Sequence, residues 1–247
     1  MIHIFTDNIT DNHVRIEGEA LNHLRNVLRV EKGDDILVSD GSGHDYTACI
    51  STIGADFIEA DIIGTQTPRE LPVDITLYQA LPKGDKLELI IQKSVELGVA
   101  RIVPIATSRC VVKLDDKTAR KKTERWQKIA QSASEQSQRG RIPEVSLPMT
   151  WKEALKDAAN HRRNVIPYEL ENENVALRQL LEDARTGQID SLGIFIGPEG
   201  GFTEDEIASA TAAGIIPITL GRRILRTETA GMALIAAVML EIESAVN

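Results

Sequence analysis

The sequence predicts an α/β protein in two domains, a small β-rich unit followed by a mostly parallel sheet covered by helices. Three features lead there. From residue 73 onward, short apolar runs alternate with segments of helical periodicity, the pattern of strands joined by crossover helices. Before that point the chain is a succession of short strands and turns. Between them, Thr65-Gln66-Thr67-Pro68-Arg69-Glu70-Leu71-Pro72 places two prolines within five residues, which suits an extended linker. The domains are therefore drawn at 1–70 and 73–247.

In the first domain, residues 2–5 and 14–16 read as strands. Leu21, Leu24, Val27 and Leu28 recur at helical spacing, leaving His23, Arg25, Asn26 and Arg29 off the apolar stripe. A turn at 31–34, a strand at 36–38 and the hairpin signal Asp40-Gly41-Ser42-Gly43 follow. Strands at 46–53 and 57–63 complete a unit read as a barrel carrying one helix.

In the second domain, 73–80 and 102–106 read as strands. The helix 86–97 carries Leu87, Ile90, Ile91, Ser94 and Val95 on one side, and Gly98 ends it. Residues 115–139 form one long basic helix or two. Further helices centre on Trp151, Leu155 and Ala158 and on Leu177, Leu180 and Leu181, with a strand ending at Val165-Ile166-Pro167 between them. Two strand–turn–helix units close the chain. One is Ile194-Phe195-Ile196 followed by Gly197-Pro198-Glu199-Gly200-Gly201; the other is 215–220 followed by Gly221-Arg222-Arg223-Ile224-Leu225-Arg226. The last helix, 228–246, is apolar over most of its circumference, which predicts burial at a subunit interface.

At 247 residues the chain can bury a full core without staples. Cys49 and Cys110 stand far apart, with neither disulfide nor metal spacing, and predict free thiols in a reducing compartment. The longest apolar run, 232–240, is far short of the roughly twenty residues of a membrane span, and no leader pattern opens the chain. A cytosolic protein is expected. The net charge of −9 disfavours a nucleic-acid partner, but its distribution does not. Residues 1–72 hold 5 Lys/Arg against 13 Asp/Glu, whereas residues 109–141 hold 10 against 4.

Ligands of open α/β sheets bind beyond the carboxyl ends of the strands, where both glycine turns lie. Glycines there let the backbone take positive φ and approach a ligand closely. Thr203 with Glu206 forms a capping box, and Glu204 and Asp205 add charge, so this helix start is a poor anion site. Neither phosphate-binding glycine fingerprint occurs. These features disfavour a dinucleotide-dependent dehydrogenase and fit a neutral or cationic ligand. On residues alone, the turns serve equally well as plain connections.

The segment Ile196-Gly197-Pro198-Glu199-Gly200-Gly201-Phe202, with 220–230 (Leu-Gly-Arg-Arg-Ile-Leu-Arg-Thr-Glu-Thr-Ala), closely resembles the RsmE family, 16S rRNA uridine N3-methyltransferases of the SPOUT superfamily. Lys83-Gly84-Asp85-Lys86, the run 92–98, Ser108-Arg109-Cys110-Val111-Val112-Lys113, Ser134-Glu135-Gln136-Ser137-Gln138-Arg139 and the stretch 23–29 are similar in the same order. The resemblance implies a PUA-like β-barrel, then an α/β domain with a C-terminal trefoil knot, a homodimer, and S-adenosyl-L-methionine bound bent in the knot, with no metal. A sulfonium is cationic and needs no anion hole. Three loops would hold it: one after Pro167, one of Gly197, Pro198, Glu199, Gly200 and Gly201, and one containing Leu220, Gly221, Ile224 and Leu225.

The basic stretch is then the expected surface for 16S rRNA or the small ribosomal subunit, through Arg109, Lys113, Lys121, Lys122, Arg125, Gln136 and Arg139, with Arg25 and Arg29 as a second contact. Trp126 and Ile129 would anchor its helix. For the reaction, Arg226 is expected to stabilise negative charge on the base, and Glu228 or Glu199 to accept a proton. An RNA-binding module without catalysis is the competing reading, which the intact pair of glycine turns disfavours.

Overall fold

The computed structural model describes residues 1–10, 12–67, 69–168 and 175–245. The chain divides into two compact units, residues 1–70 with 134–142 and residues 71–133 with 143–247.

The first unit contains β1 (Ile2–Phe5), β2 (Ile9–Thr10), β3 (His13–Ile16), α1 (Gly18–Asn22), a π-helical segment (His23–Leu28), β4 (Asp35–Ser39), β5 (Asp45–Ile53) and β6 (Ile58–Gln66). The ladder runs β1-β4-β5-β6-β3-β2, with β1 parallel to β4 and the other pairs antiparallel. Val14, Ile16, Leu24, Ile36, Val38, Ile50 and Ile58 form its core. Among the described residues, β1 and the two-residue β2 remain edges. No ladder pairs β1 with β2 among the described residues.

The helix 18–30 is corrected. Its second half is a π-turn, whose wider spacing swings the expected core residues Val27 and Leu28 outward to 65% and 40% exposure. It ends on Arg29 at φ 52°, a left-handed residue.

Residues 134–142 return to this unit through specific contacts. Arg139 is buried against the Glu70 carboxylate, which also accepts the Arg141 amide at 3.2 Å. The His3 ring bonds the Glu135 carbonyl at 3.3 Å. A Cβ on Gly140 would lie 2.6 Å from the Asp45 carboxylate. The expected linker is shorter than drawn because β6 continues to Gln66; Pro68 lies outside the described residues.

The second unit contains β7 (Asp74–Ala80), α2 (Lys86–Glu96), β8 (Arg101–Ala106), α3 (Asp116–Ser137, whose last residues belong to the first unit), β9 (Glu144–Val145), β10 (Met149–Thr150), α4 (Trp151–Ala158), β11 (Arg163–Pro167), α5 (Val175–Arg185), β12 (Ser191–Ile196), α6 (Glu204–Ala212), β13 (Ile216–Ile218) and α7 (Thr227–Ser244). Every ladder is parallel, in the order β10-β8-β7-β12-β11-β13, with β9 also on β8. The basic segment forms one helix, not two.

One face of the sheet meets Leu87, Ile91, Trp126, Leu180, Leu234 and Val238 of α2, α3, α5 and α7. The other meets Ala154 and Ala210 of α4 and α6, around a Tyr78–Phe195 stack at 4.3 Å. Coverage on both faces explains why β12 is apolar at nearly every position instead of alternating. Each large aliphatic side chain so enclosed contributes about 1.5–3 kcal/mol.

Within one chain α7 is not covered all round. It buries one stripe, Thr227, Gly231, Leu234, Ile235, Val238 and Ile242, while Ala233 and Leu240 are exposed, Leu240 by 59%. Its apolar composition exceeds what one chain covers.

Candidate functional site

A cleft of about 590 Å³ opens beyond the carboxyl ends of β11, β12 and β13. Sites for cofactor-sized molecules run to about 300–1,000 Å³. Its first wall is the turn after β12. Gly201 sits at φ 67° and donates its amide to the Pro198 carbonyl at 2.9 Å, closing the turn. A Cβ on Gly197 would come within 3.2 Å of the Phe202 ring, whereas one on Gly201 would enter open space. The turn is closed on the protein side and empty on the ligand side.

Arg109 braces it, donating to the carbonyls of Gly200 at 2.7 Å and Phe202 at 3.1 Å. The capping box is present: the Thr203 hydroxyl accepts the Glu206 amide at 3.2 Å and Glu206 accepts the Thr203 amide at 2.9 Å. The other Glu206 oxygen takes the Ser108 amide at 2.8 Å.

The second wall is the segment after β13. The Thr219 hydroxyl accepts the Gly221 amide at 3.2 Å, and Gly221 turns at φ 104°. At its far end Thr227 is buried, donating its hydroxyl to the Gly197 carbonyl at 2.6 Å and accepting from Gln79 Nε2 at 2.9 Å. One hydroxyl thus ties α7 to both β7 and the glycine turn. Pro167 and Tyr168 form the third wall. The rest of the expected loop after Pro167, residues 169–174, lies outside the described residues.

The lining carries five cationic side chains, Lys86, Arg109, Arg222, Arg223 and Arg226, against one carboxylate, Glu199. Lys86 Nζ lies 3.1 Å from Glu199 and 3.3 Å from Glu228. Burial pushes the Glu199 carboxyl up, but its own amide, the Lys83 amide at 3.1 Å and the Lys86 ammonium outweigh this and hold it below the ordinary carboxylate range. Glu228 is also held low, first by its own amide at the helix start, then by Lys86 and Arg226, with burial opposing. Arg226 is 82% exposed, and its nearest carboxylate is Glu228 at 3.9 Å.

Pro167, Gly197, Pro198, Glu199, Gly200, Gly201, Leu220, Gly221, Ile224, Leu225 and Arg226, expected from sequence, all line this cleft. Glu228 does not line it; it pairs with Lys86 at 3.3 Å. The three carboxylates at the start of α6 do not line the cleft either, and Glu206 is consumed by backbone amides. Their charge does not set the character of the site.

Of the residues expected to contact RNA, Lys113, Lys121 and Gln136 are exposed, as are Arg25 and Arg29; Arg25 donates to the Ala55 carbonyl at 2.6 Å. Lys122 lies 5.9 Å over the Trp126 ring, and Arg125 bonds Glu88 at 2.7 Å. Arg139 is the correction: buried with Glu70, it is part of the first unit's interior. Arg109 serves the glycine turn instead of standing free. Sequence reasoning missed Tyr168, Thr219 and Thr227, and gave no role to Lys86, Arg222 and Arg223. The Lys83–Lys86 and 220–230 motifs contained four of these six, but periodicity shows only a helix start or a turn there.

Residues 69–239 match the model of an RNA methyltransferase domain, and residues 16–63 that of an RNA methyltransferase PUA domain. The chain is 38% identical over 232 residues to ribosomal RNA small subunit methyltransferase E of Bacillus subtilis, covering 92% of this chain and 90% of that one. The enzyme of the same name from Synechocystis is 33% identical, with 96% and 76% covered. In structure, the chain is similar to the Neisseria gonorrhoeae ribosomal RNA small subunit methyltransferase E bound to S-adenosyl methionine, with a TM-score of 0.83, 36% identity and 97% of each chain covered. Matches of this length span both units and take in all three described walls of the cleft: the chain belongs to the ribosomal RNA small subunit methyltransferase E family.

Proposed function

We propose that the chain transfers a methyl group from S-adenosyl-L-methionine to N3 of one uridine in the 16S rRNA of the small ribosomal subunit. The cleft carries this reading: its two glycine turns leave room where a Cβ would intrude, in a family with a structure bound to that cofactor. The bound cofactor supplies a methyl group on a sulfonium. Main-chain groups of Gly197–Gly201 and Leu220–Leu225 would hold it, beside the aliphatic side chains of Leu220, Ile224 and Leu225.

Transfer is an in-line displacement, so orientation of the uridine carries much of the rate. N3 must lose its proton, which passes to the Glu199 carboxylate on the cleft wall and from there to water, and Arg226, exposed and weakly paired, stabilises the negative charge then spread over the base. Lys86 holds Glu199 and Glu228 as ionised carboxylates, fixing the glycine turn against the first turn of α7. Lys113, Lys121, Lys122 and Gln136 bind RNA backbone, with Arg25 in the π-helical segment and Arg29 at its end as a second contact.

The same reading includes a trefoil knot. β13 neighbours β11, whereas Thr227 is bonded to Gln79 of β7 and to the end of β12. The chain from 219 to 226 therefore crosses the end of β11, a crossing that supports this reading. The uncovered apolar face of α7 supports a homodimer, and a cytoplasmic location fits a ribosomal substrate.

The test is incubation with methyl-labelled S-adenosylmethionine and either deproteinised 16S rRNA or intact small subunits, followed by mass mapping. One N3-methyluridine is expected. Cofactor binding by calorimetry without label transfer to either substrate would overturn the assignment.

A further inference from the structure

Building on the proposed methyl transfer to RNA, we infer that Arg222 and Arg223 form a phosphate clamp on the rim of the cleft, gripping the backbone beside the uridine that enters it. Both line the cleft, both are exposed, and among the described residues neither makes a hydrogen bond or ion pair. Six other arginines of the chain are paired. Arg15, Arg101, Arg125, Arg163 and Arg185 each pair with a carboxylate at 2.5–2.8 Å, and Arg139 is bound to Glu70. In a protein of net charge −9, three guanidiniums within five residues, with only Glu228 at 3.9 Å from one of them, are a concentration of uncompensated charge.

The loop also presents them rigidly. The Thr219–Gly221 hydrogen bond fixes one end, and the buried Thr227 hydroxyl fixes the other. Ile224 between them is 83% exposed, so the whole tip stands at the mouth.

The chemistry of the substrate supplies the ligand. A base whose ring nitrogen is to be methylated must leave its stack and enter the cleft, and its flanking phosphates then remain at the rim. A guanidinium matches two phosphate oxygens with a planar fork, which an ammonium does not. Arg226, nearer α7, is left to face the base. The clamp is thus a substrate subsite separate from the cofactor's main-chain contacts and from the basic helix α3.

The test measures binding of labelled small-subunit RNA from 50 to 200 mM salt for the wild type, the double variant Arg222→Gln/Arg223→Gln, and Arg222→Lys/Arg223→Lys. Cofactor affinity is measured on the same samples by calorimetry. Each phosphate contact adds about 0.7–0.9 to the slope of log K against log salt, so the Gln pair should lose about 1.4–1.8 of that slope. It should bind the cofactor within about twofold of wild type and raise KM for RNA more than it lowers kcat. The Lys pair should keep the slope while binding more weakly. An unchanged slope in the Gln pair overturns the clamp, as does loss of cofactor binding with RNA binding intact, which would place these arginines on the cofactor's carboxylate. If the Gln pair loses both ligands, the Lys pair decides: a kept slope supports the clamp and a lost one overturns it. A wild type that binds no cofactor would instead overturn the methyltransferase reading.

Discussion

Replacing Thr227 by Val tests how the cleft is held together. The two side chains are nearly the same size, so packing is kept while one hydroxyl is lost. That hydroxyl serves Gly197 at 2.6 Å and Gln79 at 2.9 Å, and Thr227 and Gln79 are both buried. Orphaning a buried polar group costs about 1–3 kcal/mol. The Gln79 amide keeps a second acceptor, the Ala80 carbonyl at 3.0 Å, and the Gly197 carbonyl lies at the cleft wall, so neither pays the maximum. The sum is about 2–4 kcal/mol. With a urea m-value of about 2 kcal/mol per molar, the midpoint of the second unit falls by about 1–2 M. Because the same bond joins α7 to the glycine turn, the dissociation constant for S-adenosylmethionine should rise about tenfold, equivalent to about 1.4 kcal/mol. Thr227→Ser keeps the hydroxyl and loses one methyl, costing about 0.8 kcal/mol. Urea unfolding and calorimetry on the three proteins decide it. If the Val variant unfolds at the wild-type midpoint, or the Ser variant is as weak as the Val variant, the hydroxyl is not what ties the walls together.

Arg226→Ala should lower kcat by about 10²–10³, the usual loss on removing one donor to a developing charge, with cofactor affinity unchanged; single-turnover kinetics and calorimetry separate the two. Burial pushes the imidazoles of His3 and His161 below their ordinary 6.5. The unfolded chain therefore takes up these protons first, so this stability is present above about pH 6.5 and is lost as pH falls from there through the folded values. Melting curves between pH 5 and 8 should fall on the acid side, and His161→Asn should flatten the part of that dependence belonging to the second unit. Lys121→Gln with Lys122→Gln should reduce the salt slope of RNA binding, whereas Arg125→Gln should change it less, since Glu88 already occupies that guanidinium at 2.7 Å.

The sequence made the parallel sheet legible because its strands are buried on both faces, and continuous apolar runs such as Ile194-Phe195-Ile196 stand out from amphipathic helices. The stripe Leu87, Ile90, Ile91, Ser94 and Val95 is buried as its spacing implied. Two kinds of information were not local. The π-turn at His23–Leu28 has no signature in the apolar pattern, since Val27 and Leu28 fit an α-helix equally well. Partners distant in sequence were equally hidden: Arg139 looked like one more cation of the basic run, and only folding sets it against Glu70. The cleft was legible as two glycine turns, with the loop after Pro167 implied by the resemblance, but the roles of Lys86 and the Thr227 hydroxyl depend on which strands become neighbours.

Charge shows most clearly why local reading falls short. The acidic start of α6 suggested a site for a neutral or cationic ligand, a conclusion that suits a sulfonium but rests on the wrong side chains. Glu206 is turned to the Thr203 and Ser108 amides, and neither Glu204 nor Asp205 reaches the lining. The cleft itself is rich in cations, and these are sorted by partner. Lys86 is neutralised by Glu199 and Glu228, and Arg109 is spent on two carbonyls. Arg222, Arg223 and Arg226 are left over at the mouth. On the proposed reading, a cationic methyl donor held by main-chain carbonyls and apolar side chains would tolerate that division, because the free charge would stand where the RNA backbone arrives and not beside the sulfonium. The glycine turns would then make room for the donor, and the arginine-bearing turn beside them would meet the acceptor.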